Sequence, residues 1–142
     1  MFLGRFHHAL DAKGRVAIPA RLRVELADGA VLTRGADRCL ALYPALMWET
    51  LCARIAALPM SDPAVRTFRR FVFAEAVALE FDSQGRILIP HLLRTYAGID
   101  RNAVIIGLDT MIEIWAEAAW DAVSLDLDSQ SDEIIGRLAS MI

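Results

Sequence analysis

Asp11-Ala-Lys-Gly-Arg-Val-Ala-Ile-Pro19 and Asp82-Ser-Gln-Gly-Arg-Ile-Leu-Ile-Pro90 are two versions of one phrase, set seventy-one residues apart in the same chain. Between Asp11 to Arg23 and Asp82 to Arg94, seven of thirteen positions are identical: Asp11, Gly14, Arg15, Ile18, Pro19, Leu22 and Arg23 recur in place. The likeness continues further along. Cys39-Leu-Ala-Leu-Tyr43 matches Met111-Ile-Glu-Ile-Trp115 in apolar pattern, and Trp48 answers Trp120. Chance does not produce such a match, so the chain reads as two copies of a unit of about forty-five residues, joined by a helical insert.

Both copies predict the same elements. Residues 6–10 and 77–81 alternate at period two and end at the aspartate, as strands do. Asp-x-x-Gly is turn chemistry: the carboxylate accepts backbone N–H groups, and glycine takes a positive φ without steric cost. Residues 15–18 and 86–89 then read as return strands of hairpins. Pro19 and Pro90 suit the first turn of a short helix, ending near Gly29 and Gly98. Two more strands follow in each copy, at 30–33 and 39–43, and at 103–108 and 111–115.

One such unit is too small to hide its apolar face. Two related by a pseudo-two-fold axis are expected to close their hairpins into one small shared β-barrel without free edges. The predicted class is therefore α+β: a pseudo-two-fold β-barrel of two β-hairpin/helix/β-hairpin repeats, with flanking helices. The first repeat spans 5–47, the insert 48–75 and the second repeat 76–119; an acidic segment and a C-terminal helix fill 120–142. In the insert Pro44 and Pro63 start helices, with apolar stripes Met47/Leu51/Ile55/Leu58 and Val65/Phe68/Val72. Arg66, Arg69 and Arg70 flank the second stripe and read first as a solvated face. The acidic stretch from Asp121 to Asp128 precedes a short amphipathic helix expected at 132–142.

Composition narrows the function. Of 142 residues 56% are hydrophobic and 23% charged, which excludes a disordered chain. No apolar run approaches the roughly 18 residues of a membrane span, and the opening Met1-Phe-Leu-Gly-Arg-Phe-His-His8 lacks the layout of a signal peptide. A cytosolic protein is expected. A mean hydropathy of +0.38 points to excess apolar surface and hence to an oligomer. The net charge of −3 is unevenly spread: residues 1–75 hold eleven of the fifteen basic side chains, residues 76–142 eleven of the eighteen acidic ones. Such asymmetry hints at an anionic partner for the first half. Cys39 and Cys52 read as small apolar residues in a reducing compartment, and His7 and His8, on opposite faces of a strand, do not form one metal site. There is no nucleophile–base pair, metal-ligand set or Gly-rich phosphate loop, and Ser83 and Ser140 lack a histidine partner. No enzyme activity and no cofactor are expected.

The doubled Asp-x-x-Gly-Arg turn, each time followed by an apolar triplet and proline, resembles the AbrB-like swapped-hairpin DNA-binding proteins. Two copies in one chain, the opening Met-Phe-Leu-Gly and the run from Tyr43-Pro44 to Trp48 are similar specifically to the MraZ family, from Met1 to about Val123. The resemblance implies a bacterial transcriptional regulator of the cytoplasm and nucleoid. It implies binding to G-rich direct repeats in double-stranded DNA, in the promoter of the division and cell-wall gene cluster, often with repression of its own operon. It also implies closed homo-oligomeric rings.

The residues support this independently. An arginine beside a tight turn, oriented by an aspartate four positions earlier, presents a rigid two-pronged donor. Arginine to guanine O6/N7 is the commonest specific contact in the major groove, and a two-stranded ribbon fits that groove. Arg15 is the expected reader, Lys13 a phosphate contact, and Arg5, Arg21 and Arg23 the surrounding charge. Asp11, Gly14, Asp82, Gly85 and Arg86 are expected to hold the two hairpins. Gln84 replaces the tip lysine in the second copy, so the first hairpin is expected to bind DNA while the second completes the fold. The competing readings are a protein-only assembly module and a DNA-binding antitoxin, the latter usually with one hairpin unit per chain.

Overall fold

The sequence predicts eight short strands, and all eight form in the computed structural model, which describes residues 1–142. They are β1 (Phe2–Ala9), β2 (Arg15–Ala17), β3 (Ala30–Arg34), β4 (Leu40–Pro44), β5 (Val77–Leu79), β6 (Arg86–Leu88), β7 (Asn102–Asp109) and β8 (Met111–Ala116). The helices are α1 (Ala20–Arg23), α2 (Ala45–Ala56), α3 (Pro63–Phe73), α4 (His91–Ala97) and α5 (Glu117–Leu138).

The strands do not take the partners that the hairpin reading expects. Each turn closes locally: the Asp11 N–H donates to the Arg15 carbonyl at 2.9 Å and the Gly14 N–H to the Asp11 carbonyl at 3.0 Å, with equivalent bonds at Asp82 and Gly85. Past the turn the strands part. β1 runs antiparallel to β7, and β5 antiparallel to β3. β2 pairs with β6 of the other repeat, Arg15 facing Leu88, Val16 facing Ile87 and Ala17 facing Arg86. The Ile18 N–H reaches the Gly85 carbonyl at 3.1 Å and the Ile89 N–H the Gly14 carbonyl at 3.0 Å, so the ladder runs on into both turns. A hairpin and an exchange between repeats obey the same alternation. The exchange sets Val16, Ile18, Ile87 and Ile89 together, all fully buried.

The larger sheet has the order β1-β7-β8-β4-β3-β5, which reads the same in both directions when the repeats are swapped. Its pseudo-two-fold axis passes between β4 and β8, where Ala41 faces Glu113. The expected closed barrel is not formed. β1 and β5 remain as edges, because the short β2 and β6 pair with each other as a separate ribbon and cannot bridge the ends of the larger sheet. The α+β class with flanking helices holds.

One core joins the repeats. Leu32, Leu40, Leu42, Ile105, Ile112 and Ile114 of the sheet pack with Val16, Ile18, Leu22, Leu26, Ile87, Ile89 and Leu93. Further ties cross between repeats: the Tyr96 hydroxyl donates to the Gly35 carbonyl at 2.6 Å. The second helix stop falls at the expected glycine: Gly98 takes φ +66° and its N–H turns back to the last turn of α4. In the first repeat α1 already ends at Arg23, and a 3-10 turn over Val24–Leu26 leads on towards Gly29. The acidic stretch does not interrupt the C-terminal helix. α5 is continuous from Glu117 to Leu138, since no proline, and no glycine before Gly136, stands in that interval to break it.

Because β2 and β6 come from different repeats, neither repeat can unfold alone. Ile87→Ala should cost about 2–5 kcal/mol as a buried truncation, and urea should still unfold the chain in one transition. Coincident tryptophan fluorescence and far-UV dichroism check this; two separated transitions would refute the interlock.

Candidate nucleic-acid interface

The turn chemistry fixes the arginine before any ligand is considered. One oxygen of Asp11 accepts the Lys13 N–H at 3.0 Å and the Arg15 N–H at 2.9 Å, and the other accepts Arg15 Nε at 2.7 Å. Asp82 repeats this with the N–H groups of Gln84 and Arg86, both at 2.9 Å, and Arg86 Nε at 2.8 Å. An Nε–carboxylate bond points the two Nη groups of an arginine away from the aspartate. Those of Arg15 have no partner in the chain and its side chain is one-third exposed. Those of Arg86 are not equally free, because one reaches across to Asp11 at 3.5 Å. The two copies of the motif therefore differ in geometry as well as in sequence.

Asp11 is lowered from its ordinary 3.8 to about 2, first by the Arg15 backbone N–H; desolvation opposes this, and the Arg15 side chain and the Lys13 N–H lower it further. Asp82 is lowered for the same reasons, led by the Arg86 backbone N–H. Both carboxylates stay charged wherever the protein is folded at ordinary pH, so both arginines stay oriented.

Gly14 and Gly85 take φ +86° and +74°, which few side chains tolerate. Each is also covered by an arginine of the opposite repeat. A Cβ on Gly14 would lie 2.8 Å from Arg94 Cζ, and one on Gly85 would collide with the Arg23 guanidinium. Arg23 Nη1 donates to the Ile18 carbonyl at 2.7 Å and Arg94 Nε to the Ile89 carbonyl at 2.9 Å. Arg23 thus lies against the second turn and holds its own strand end.

The structure brings Asp11, Lys13, Gly14 and Arg15 beside Asp82, Gly85, Arg86 and Arg23. It leaves Arg5 and Arg21 elsewhere: Arg5 is exposed on β1 opposite Ile106, and the Arg21 guanidinium lies 5.0 Å from the centre of the Phe6 ring. Two cations that sequence reasoning left in the acidic half join the first turn instead. Arg94 and Arg101 line a cavity of about 250 Å³ together with Asp11, Ala12 and Asp100. The recurrence of Arg23 at Arg94 was a signal for the first of these; nothing local marks Arg101.

These features define a class: an intertwined two-repeat protein that holds aspartate-anchored arginines at the tips of swapped turns. The family model described as "MraZ protein, putative antitoxin-like" matches residues 1–71 and again 72–135. A protein of Thermomicrobium roseum, titled Transcriptional regulator MraZ, is 51% identical over 142 residues, covering 100% of both chains. Proteins of the same title from Herpetosiphon aurantiacus (52% identical, 94% of this chain and 91% of the relative) and Acetivibrio thermocellus (43% identical, 99% of each) also match. The chain belongs to the MraZ family.

Asp11 contributes stability that is present above its ordinary value of 3.8 and lost as pH falls toward about 2. An NMR titration should place the Asp11 midpoint near 2, and Asp11→Asn should flatten the acid limb of the stability curve between those two values. A midpoint at the ordinary value would show that the turn bonds do not hold the carboxylate. Gly14→Val should lower stability by at least about 1–2 kcal/mol from left-handed strain, more once Arg94 is displaced, read by urea midpoint.

Proposed function

We propose that this protein is a sequence-specific transcriptional regulator that binds double-stranded DNA through the first turn of each chain. The supporting observation is the fork of Arg15: Nε anchored to Asp11, both Nη groups free. The fixed spread of that fork suits the O6 and N7 of guanine, for which a good bidentate contact is worth about 1–3 kcal/mol of discrimination. Lys13, exposed at the tip, meets a phosphate, and Arg94 and Arg101 offset the carboxylates of Asp11 and Asp100 beside it. Arg5 and Arg21, which lie away from the turn, contribute long-range positive potential and no contact at the tip. Arg23, Gly14, Gly85, Asp82 and Arg86 serve by holding the turns.

The relatives titled Transcriptional regulator MraZ support the regulatory role, and that family is one of regulators and not of enzymes. We read the target as G-rich direct repeats in the promoter of the division and cell-wall gene cluster, and the effect as repression. One chain offers few phosphate contacts. A homo-oligomeric ring that presents many first turns to one DNA face supplies affinity by multivalency. No helix is long and apolar enough to cross a membrane, and action in the cytoplasm and nucleoid accords with a DNA partner. The exposed Leu125, Ile135 and Met141 of the C-terminal region favour a second reading, a protein-only assembly module.

Affinity for promoter and scrambled DNA, titrated against salt, separates the two. Arg15→Ala should abolish the preference for promoter DNA while costing under about 1 kcal/mol of stability, since partly exposed ion pairs contribute little. Lys13→Ala should weaken binding to every sequence and reduce the salt slope by about one. Arg86→Ala should change binding far less. Equal damage from Arg15→Ala and Arg86→Ala in folded protein would sink the division between the turns, and no salt-dependent binding at all would leave the assembly module.

A further inference from the structure

α5 carries an apolar face that its own chain does not cover. Its first turns rest on the sheet through Ala119, Trp120 and Val123, against Cys39, Val104, Ile106 and Trp115. Beyond that contact Ile134, Ile135, Leu138, Met141 and Ile142 recur at the spacing of one helical face. All five are exposed, Ile142 completely. Within residues 134–142 Arg137 is the one charged side chain.

A groove of matching character lies in the first repeat. It has a volume of about 420 Å³ beside the start of α2, with Met1, Pro44, Leu46 and Met47 supplying its apolar wall. On the scale where about 150 Å³ admits a benzene ring, this is room for roughly two or three aliphatic side chains. Its rim is acidic, from Glu25, Asp28 and Asp109. Glu25 is engaged by the amino terminus of Met1, so Asp28 and Asp109 face an incoming group without a cation of their own.

The internal repeat supplies a control. The corresponding hollow at the start of α5 is lined by Asp100, Arg101, Asn102 and Glu117, and on its apolar side by nothing larger than Ala116 and Ala118. Leu46 and Met47 have alanines, Ala118 and Ala119, as their counterparts. A groove walled by large apolar side chains is therefore not a general consequence of the unit's fold; those side chains belong to the first repeat, while Asp109 of the second lies on the rim.

We propose that residues 134–142 of one copy dock in this groove on a second copy, Leu138 and its neighbours against Leu46 and Met47, and Arg137 against Asp28 and Asp109. The chain cannot make the contact with itself as it stands: α5 runs unbroken for 22 residues and its end is fully exposed. The contact joins the second repeat of one copy to the first repeat of the next. That is a head-to-tail interface, the kind that closes into a ring when its rotation allows. The inference rests on the oligomer named under the proposed function and assigns its interface.

Light scattering on the full chain tests it at micromolar concentration. The wild type should have a mass of several chains. Leu46→Arg and Leu138→Asp change side chains exposed in a single copy, at 69% and 41%, so both should keep the wild-type far-UV dichroism. Each alone should fall to the mass of one chain, whereas Leu46→Ile and Leu138→Ile should keep the wild-type mass. An equimolar mixture of the two charged variants should stop at two chains, with one intact tail in one intact groove. Either charged variant retaining the wild-type mass would overturn the docking and leave the oligomer standing. A loss of mass with Leu138→Asp but not Leu46→Arg would give the tail another partner surface, α5 of a second copy first among them. A wild type of single-chain mass would overturn the docking and the ring together, without touching DNA binding by the turn.

Discussion

Val16 faces Ile87 at the centre of a ladder only three residues long on each side, and both side chains are fully buried. Each strand leads directly out of a turn of its own repeat and ends at the glycine of the other. Without that pairing, each Asp-x-x-Gly-Arg turn would stand on a strand with no partner, since β1 and β5 are committed to β7 and β3. The pairing sets the two turns side by side, places Arg23 and Arg94 over the opposite glycines, and joins the isoleucines of both repeats into one core. It also mixes the charge. The basic first half and acidic second half of the chain are not two separate surfaces, because Arg94 and Arg101 end beside Asp11.

Magnitudes decide what the aspartate–arginine pair is for. Partly exposed ion pairs contribute under about 1 kcal/mol to stability, while an oriented arginine–guanine contact contributes about 1–3 kcal/mol to discrimination. On the proposed reading the pair at Asp11 matters more for where it points Arg15 than for how firmly it folds the chain. Anchoring through Nε leaves the two-pronged end free, a role that lysine, a mobile point charge, cannot fill. The same motif at Asp82 diverges by a single bond: Arg86 turns one prong to Asp11. Two nearly identical sequences thus yield one presenting arginine and one that helps hold the pair of turns.

Much of this was legible in the sequence. The repeat, the turns at Gly14 and Gly85, the helix stop at Gly98 and all eight strands follow from local chemistry, which acts within a few residues. Strand partners do not. Alternation states which face of a strand is apolar, and a hairpin or an exchange with the other repeat satisfies it equally, so the absent barrel and the β2–β6 ribbon could not be read from the pattern. The continuity of α5 was hidden for another reason: a run of aspartates looks like a loop, yet with no proline, and no glycine before Gly136, to stop it the helix carries through. At the candidate interface Asp11, Lys13 and Arg15 announce themselves by spacing. Arg94 and Arg101 reach it only through the exchange, and Arg23 is drawn by the same exchange to the glycine of the second turn.

The central claim is that the free prongs of Arg15 read a guanine edge. Replacing single guanines of the target repeat by 7-deazaguanine, which removes the N7 acceptor and leaves pairing intact, measures this contact within a double-mutant cycle. For the wild type, one guanine per repeat should lose about 1–3 kcal/mol of binding on that replacement. The Arg15→Ala chain should be insensitive to the same change, so that protein and DNA substitutions are not additive. Equal sensitivity in both chains, or none in the wild type, would contradict the assignment of Arg15 as the reading residue.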